Sequence, residues 1–148
     1  MTNPEVNWNE TEMKMKKKIL VVEDNLILCD ILERWLLKAG YEVMTAADEP
    51  SARGKIKKHE TALVLTDVRL PEGDGISLLE WSVRQKQFIP FVVMTEYASI
   101  ADAVRAVKLG AKDYLPKPVY EEQLLELLRG RLKPPVAVTR DKKLLERC

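Results

Sequence analysis

Five short apolar runs alternate with five stretches of helical periodicity, and this alternation limits the fold more than any other feature of the chain. Residues 19–22 (ILVV) are apolar and β-branched, and the acidic pair Glu23-Asp24 ends them. Leu28, Ile31, Leu32, Trp35, Leu36 and Ala39 then recur along one helix face, closed by Gly40. Residues 41–46 read as a second strand. Asp48 ahead of Pro50 marks a helix start, but Gly54 interrupts that segment and few of its residues are apolar, so a weak helix is expected. Residues 62–66 form a third strand and Ile76, Leu79 and Val83 a third helix. Residues 91–95 form a fourth strand, and Ile100, Ala103, Val104 and Val107 a helix closed by Gly110. Residues 113–117 and the series Leu124, Leu125, Leu128 and Leu132 complete the pattern. Strand–helix units in series imply an α/β fold with a parallel sheet covered on both faces. Strands that are apolar throughout, rather than alternating, fit such double coverage. The crossovers should be right-handed.

The chain has 148 residues, which suggests one domain with a short appendage. Residues 1–15 are polar and without period and read as a disordered extension. Residues 16–133 read as the domain, and 134–148, after the Lys133-Pro134-Pro135 stop, as a linker toward a domain absent from this sequence. The formal net charge of +1 gives no argument for direct nucleic-acid binding, which favours strongly basic domains. No run approaches the roughly 18 apolar residues of a membrane span, and the polar N-terminus does not resemble a signal peptide. Cys29 and Cys148 lie far apart and make no disulfide framework, which fits a reducing cytoplasm. The Lys14 to Lys18 cluster reads as a solvated edge, and Trp35 and Trp81 as packing residues.

Chemistry enters where the strands end. In open α/β sheets ligands gather beyond the carboxyl ends of the strands. Glu23 and Asp24 end the first strand, Asp67 the third, Thr95 the fourth and Lys117 the fifth. Three carboxylates pushed together repel unless a cation joins them. Mg²⁺ suits one or two carboxylates plus water and phosphate oxygens, with Mn²⁺ as a substitute. Asp67 could then attack phosphorus and form an acyl phosphate. The metal and the Lys117 ammonium would offset charge on the transferring group, and the Thr95 hydroxyl would hydrogen-bond a phosphate oxygen.

The segments ILVVEDN, LTDVRLPEGDGISLL, VVMTEYAS and GAKDYLPKPV stand in the order and approximate spacing of one known family. Residues 18 to about 132 resemble the receiver domain of bacterial two-component response regulators. The resemblance implies a flavodoxin-like three-layer fold with strand order 2-1-3-4-5, and Asp67 as phosphoacceptor. It implies Glu23, Asp24, Asp67 and the Arg69 backbone carbonyl around Mg²⁺. Thr95 and Lys117 would sense the phosphoryl group, and Tyr114 would move inward as an aromatic switch. Arg69 and Tyr97 would flank the pocket and tune the life of the acyl phosphate, and the Lys117–Pro118 peptide would be cis. A sensor histidine kinase would be the donor. Homodimerisation would use a surface on the fourth helix, fifth strand and fifth helix, or else the first and fifth helices. The wording YLPKP and KAGYEV is most similar to receivers of enhancer-binding transcription activators. The ATPase and DNA-binding domains of such activators have no counterpart here: no GxxxxGK[ST] loop occurs, and the residues after Leu132 are too few for a DNA-binding domain.

Other readings fit less well. A phosphatase with an aspartyl nucleophile usually has a second Asp two residues later, where Arg69 stands. A nucleotide- or flavin-binding module would show a glycine-rich first turn, where EDNLILCD stands. A pseudo-receiver acting by protein contact alone would not need acceptor, acidic pair, Thr and Lys together. His59 lies at a short helix end, not on the long dimerising helix of a phosphodonor. The expectation is therefore a phosphoacceptor signalling domain that promotes only its own phosphorylation and dephosphorylation.

Overall fold

The computed structural model describes residues 16–96 and 100–132. Tyr97, the extension 1–15 and the linker 134–148 with Cys148 lie outside the described residues. In chain order the elements are β1 (Lys18–Val22), α1 (Leu26–Lys38), β2 (Glu42–Ala46), α2 (Glu49–Lys58), β3 (Leu63–Asp67), α3 (Gly75–Arg84), β4 (Phe91–Thr95), α4 (Ile100–Lys108), β5 (Asp113–Pro116) and α5 (Glu121–Arg131). All four strand pairings are parallel, in the expected order β2-β1-β3-β4-β5. Among the described residues no helix is long and apolar enough to cross a membrane.

The central strands are buried along their whole length because both faces of the sheet are covered. On one face Ile19, Val21, Leu63, Leu65, Val92 and Met94 pack against Leu32 and Leu36 of α1 and Leu124 and Leu128 of α5. Trp35 and Cys29, both partly buried, pack against this layer. On the other face Leu20, Val22, Val64 and Phe91 meet Ala52 and Ile56 of α2 and Leu78, Leu79 and Trp81 of α3. Asn25, Asp48 and Asp74 each accept an amide hydrogen bond at a helix start, from Leu28, Ser51 and Ser77. Such caps satisfy amides that have no partner within the helix.

Two helices depart from the sequence reading. α2 runs through Gly54 without a break. Its Asp48 cap, its early Pro50 and the burial of Ala52 and Ile56 outweigh the cost of about 1 kcal/mol for an interior glycine. In α4 two residues of the apolar stripe named from the spacing face outward: Val104 and Val107 are exposed, while Ala106 is buried against Val68, Ile76 and Val93. A sheet that offers a small side chain close approach can take the alanine face in preference to the valine face.

Gly75 is fixed by packing. A Cβ there would fall 2.2 Å from the Asp67 carbonyl oxygen and 2.8 Å from Thr66 Oγ1, so only glycine lets α3 start this close to the end of β3. Gly54 has nothing within 4 Å of the corresponding position. Two alanine substitutions should thus have opposite signs in urea unfolding. Gly75→Ala should cost about 1–3 kcal/mol through forced backbone movement, and Gly54→Ala should gain about 0.5–1 kcal/mol from helix propensity. Equal effects at the two positions would contradict this packing.

Candidate functional site at the carboxyl ends of the strands

Parallel pairing puts the carboxyl ends of β1, β3, β4 and β5 on one rim, and the residues at those ends meet there. Glu23 follows β1 and is buried, its amide fixed to the Ala46 carbonyl at 2.9 Å. Asp24, next in sequence, is exposed. Asp67 closes β3 and is 7% exposed. Carboxylate oxygens of Glu23, Asp24 and Asp67 lie within 4.8 Å of one another.

One ammonium ties part of this cluster together. Lys117 Nζ donates to Glu23 Oε1 at 2.7 Å and to Asp67 Oδ2 at 2.8 Å. The lysine is held from behind as well, because its amide donates to the Thr95 carbonyl at 2.8 Å. The Lys117–Pro118 peptide is cis. Glu23 is also pinned on its other side, where Oε2 accepts the Asn25 amide at 3.0 Å. Asn25 therefore does two jobs, since its side chain caps α1. An Asx residue ahead of an apolar helical run signals the cap, but nothing in the sequence signals the grip on Glu23.

The electrostatics follow from burial. Loss of hydration pushes the Glu23 carboxyl above the ordinary glutamate value; the Lys117 and Asn25 hydrogen bonds oppose that rise without cancelling it. Burial alone would push the Lys117 ammonium down, but its hydrogen bonds to Asp67 and Glu23 prevail and hold it above the ordinary lysine value. The lysine therefore stays charged through the neutral range. Three carboxylates against one ammonium still leave excess negative charge when all are ionised. The set is small, oxygen-only and partly open through Asp24, which suits a hard divalent cation such as Mg²⁺.

Of the remaining predicted residues, Arg69 contacts this cluster directly. The Arg69 amide donates to Asp67 Oδ1 at 3.2 Å and its side chain is exposed. Arg69 also forms an isolated antiparallel bridge with Asp74. Thr95 is buried at the end of β4, one residue past the Asp67–Met94 register pair. Tyr114 sits opposite Val93 in the β4–β5 register and packs, with its hydroxyl buried, against the group around Val68, Ile76 and Ala106. Tyr97 lies outside the described residues. Glu49 went unnoticed in the sequence: it is 5% exposed, and its Oε1 accepts the Asp74 amide at 3.1 Å.

Comparison with known proteins gives one family from a family model and from solved structures, and relatives named as transcriptional regulators. The family model described as "Response regulator receiver domain" matches residues 19–129. The "Probable transcriptional regulator ycf27" of Cyanophora paradoxa is 37% identical over 118 residues, 80% of this chain and 49% of that protein. The "Transcriptional regulatory protein ZraR" of Salmonella typhimurium is 39% identical over 117 residues, 79% of this chain and 26% of that protein. The chain thus spans about half of one curated relative and about a quarter of the other. The crystal structure of a CheY-like response regulator receiver domain protein from Methanospirillum hungatei JF-1 superposes with a TM-score of 0.76 at 33% identity, over 79% of this chain and 94% of that one.

Asp24→Ala separates stability from ion binding. The exposed carboxylate adds repulsion, so its removal should leave unfolding in metal-free buffer unchanged or raise stability by up to about 1 kcal/mol. Mg²⁺ affinity, read by calorimetric titration, should fall about tenfold or more, as for loss of one charged partner. Unchanged Mg²⁺ affinity would remove Asp24 from the ligand set.

Proposed function

The chain belongs to the response regulator receiver-domain family, and on that premise we propose that it accepts a phosphoryl group on Asp67 from a sensor histidine kinase in a Mg²⁺-dependent reaction. The observation that carries the proposal is the Lys117 ammonium held between Glu23 and Asp67 within a cluster of three carboxylates. Glu23, Asp24, Asp67 and the Arg69 carbonyl would hold the ion. When bound, the ion neutralises the negative charge that accumulates as a phosphate approaches carboxylates.

The residues of the chain do the rest. An Asp67 carboxylate oxygen attacks phosphorus as the bond from phosphorus to the donor imidazole nitrogen breaks; the imidazole takes up a proton and Asp67 carries an acyl phosphate. The Arg69 amide and Lys117, both already bonded to Asp67, orient its oxygens. Lys117 supplies positive charge to the phosphoryl oxygens, and the Thr95 hydroxyl accepts a role as their hydrogen-bond donor. The product favours a conformer that pre-exists, because only that conformer makes the Thr95 contact. Tyr114, adjoining the α4 cluster, follows Thr95 and carries the change to α4, β5 and α5. The domain is thus a signalling module whose output, given relatives named as transcriptional regulators, is control of transcription through a further domain, with the enhancer-binding class suggested by the likeness to ZraR. Its setting is the cytoplasm, and homodimerisation through the changed surface is one route to output.

The test uses acetyl phosphate as donor and intact-mass spectrometry as readout. With Mg²⁺, wild type should gain the mass of one phosphoryl group and Asp67→Asn should gain none. Thr95→Ala should be phosphorylated yet fail to show the beryllium fluoride-induced change in self-association. If wild type and Asp67→Asn respond alike, the acceptor is elsewhere.

A further inference from the structure

We propose that Glu49 is a positioning residue for the loop that follows the acceptor: a buried carboxylate on α2 that latches the backbone between Asp67 and α3. The inference rests on the phosphoacceptor reading above. A glutamate in the first turn of a helix ordinarily faces water and interacts with the helix dipole. Glu49 is instead buried and bonded to a segment 25 residues away. Its Oε1 accepts the Asp74 amide at 3.1 Å, while its own amide donates to the Glu72 carbonyl at 3.1 Å. One residue therefore grips the loop on both sides of Gly73.

The loop is shaped to receive it. Gly73 has φ of +79°, and a Cβ there would fall 2.1 Å from Glu49 Oε1 and 2.6 Å from Glu49 Cβ. Side chains at 49 and 73 exclude each other, so the latch exists because position 73 is glycine. Its charge is balanced: Oε2 accepts from Arg53 Nε at 3.0 Å and from Arg53 Nη2. The Arg53 guanidinium lies 5.1 Å from the centre of the Trp81 ring, so the counter-charge is anchored to α3, the helix the loop feeds.

Short connections lead from the latch to the reacting carboxylate. Asp74 bridges Arg69, Gly75 N donates to the Val68 carbonyl at 2.8 Å, and the Arg69 amide donates to Asp67 Oδ1. A shift at Asp74 therefore displaces the Arg69 backbone, which holds one Asp67 oxygen and whose carbonyl would help to hold the ion.

The test uses the full chain, Mg²⁺ titration, acetyl phosphate, and amide hydrogen exchange of the metal-free protein, all well below the melting temperature of each variant. Glu49→Ala should lose about five- to tenfold in Mg²⁺ affinity and phosphorylation rate, the scale of one lost hydrogen bond. Its Asp74 and Arg69 amides should exchange faster while β1 and β3 amides do not. Glu49→Gln should stay within about twofold of wild type in Mg²⁺ affinity, because its amide oxygen still accepts the Asp74 amide. Gly73→Ala should resemble Glu49→Ala in Mg²⁺ affinity and in Asp74 exchange, because a methyl at 73 meets both Oε1 and Cβ of Glu49. A folded Glu49→Ala with wild-type Mg²⁺ affinity and wild-type exchange at Asp74 would overturn the proposal. If wild type itself takes no phosphoryl group, the acceptor reading falls, and the exchange pattern still decides whether Glu49 latches the loop.

Discussion

Three carboxylates at the ends of two neighbouring strands, with one buried ammonium between two of them, set the terms for the rest of this molecule. Such a cluster opposes folding, because like charges are brought close and partly stripped of water. The sheet can hold them because its burial is extensive: strands buried end to end, with apolar layers on both faces. Only a parallel sheet places the carboxyl ends of β1, β3, β4 and β5 on a common rim. Topology thus assembles residues from four distant segments without any local signal joining them.

Much of this was legible in the sequence, for identifiable reasons. Fully buried strands are written as unbroken apolar runs, so β4 stands at the residues its sequence marks, and β1, β2 and β3 within a residue of theirs. A charge that ends such a run, as at Glu23 or Asp67, stands out because a core strand has no use for it. Cap chemistry at Asp48 is local and therefore visible. The face that α4 buries was not visible, since Ala106 is chosen by close approach to Val93 and Ile76, a property of the sheet and not of the helix. Glu49 was hidden for the same reason. Its burial depends on the missing side chain of Gly73, and no helical period relates positions 49 and 73.

The site divides into a rigid back and an open front. Glu23 has both oxygens engaged, by Lys117 and the Asn25 amide, and Lys117 is itself tied by its backbone to Thr95. Asp24 remains exposed, so an ion can approach the cluster from solvent. Like charge gathered at an open rim costs stability, as it commonly does where charge is concentrated. The glycines at 73 and 75 extend this arrangement into the loop: each yields its side-chain space to a neighbour, Glu49 in one case and the Asp67 carbonyl in the other.

The central claim is that Glu23, Asp24 and Asp67 form one divalent-ion site. Substoichiometric Mn²⁺ added to isotopically labelled protein tests it directly, because the paramagnetic ion broadens nearby nuclei first. Resonances of residues 23, 24, 67 and 69 should fade together before any others, and excess Mg²⁺ should restore them. Broadening that begins at another acidic stretch, such as Glu121 and Glu122, or that spreads evenly over the surface, would contradict the account.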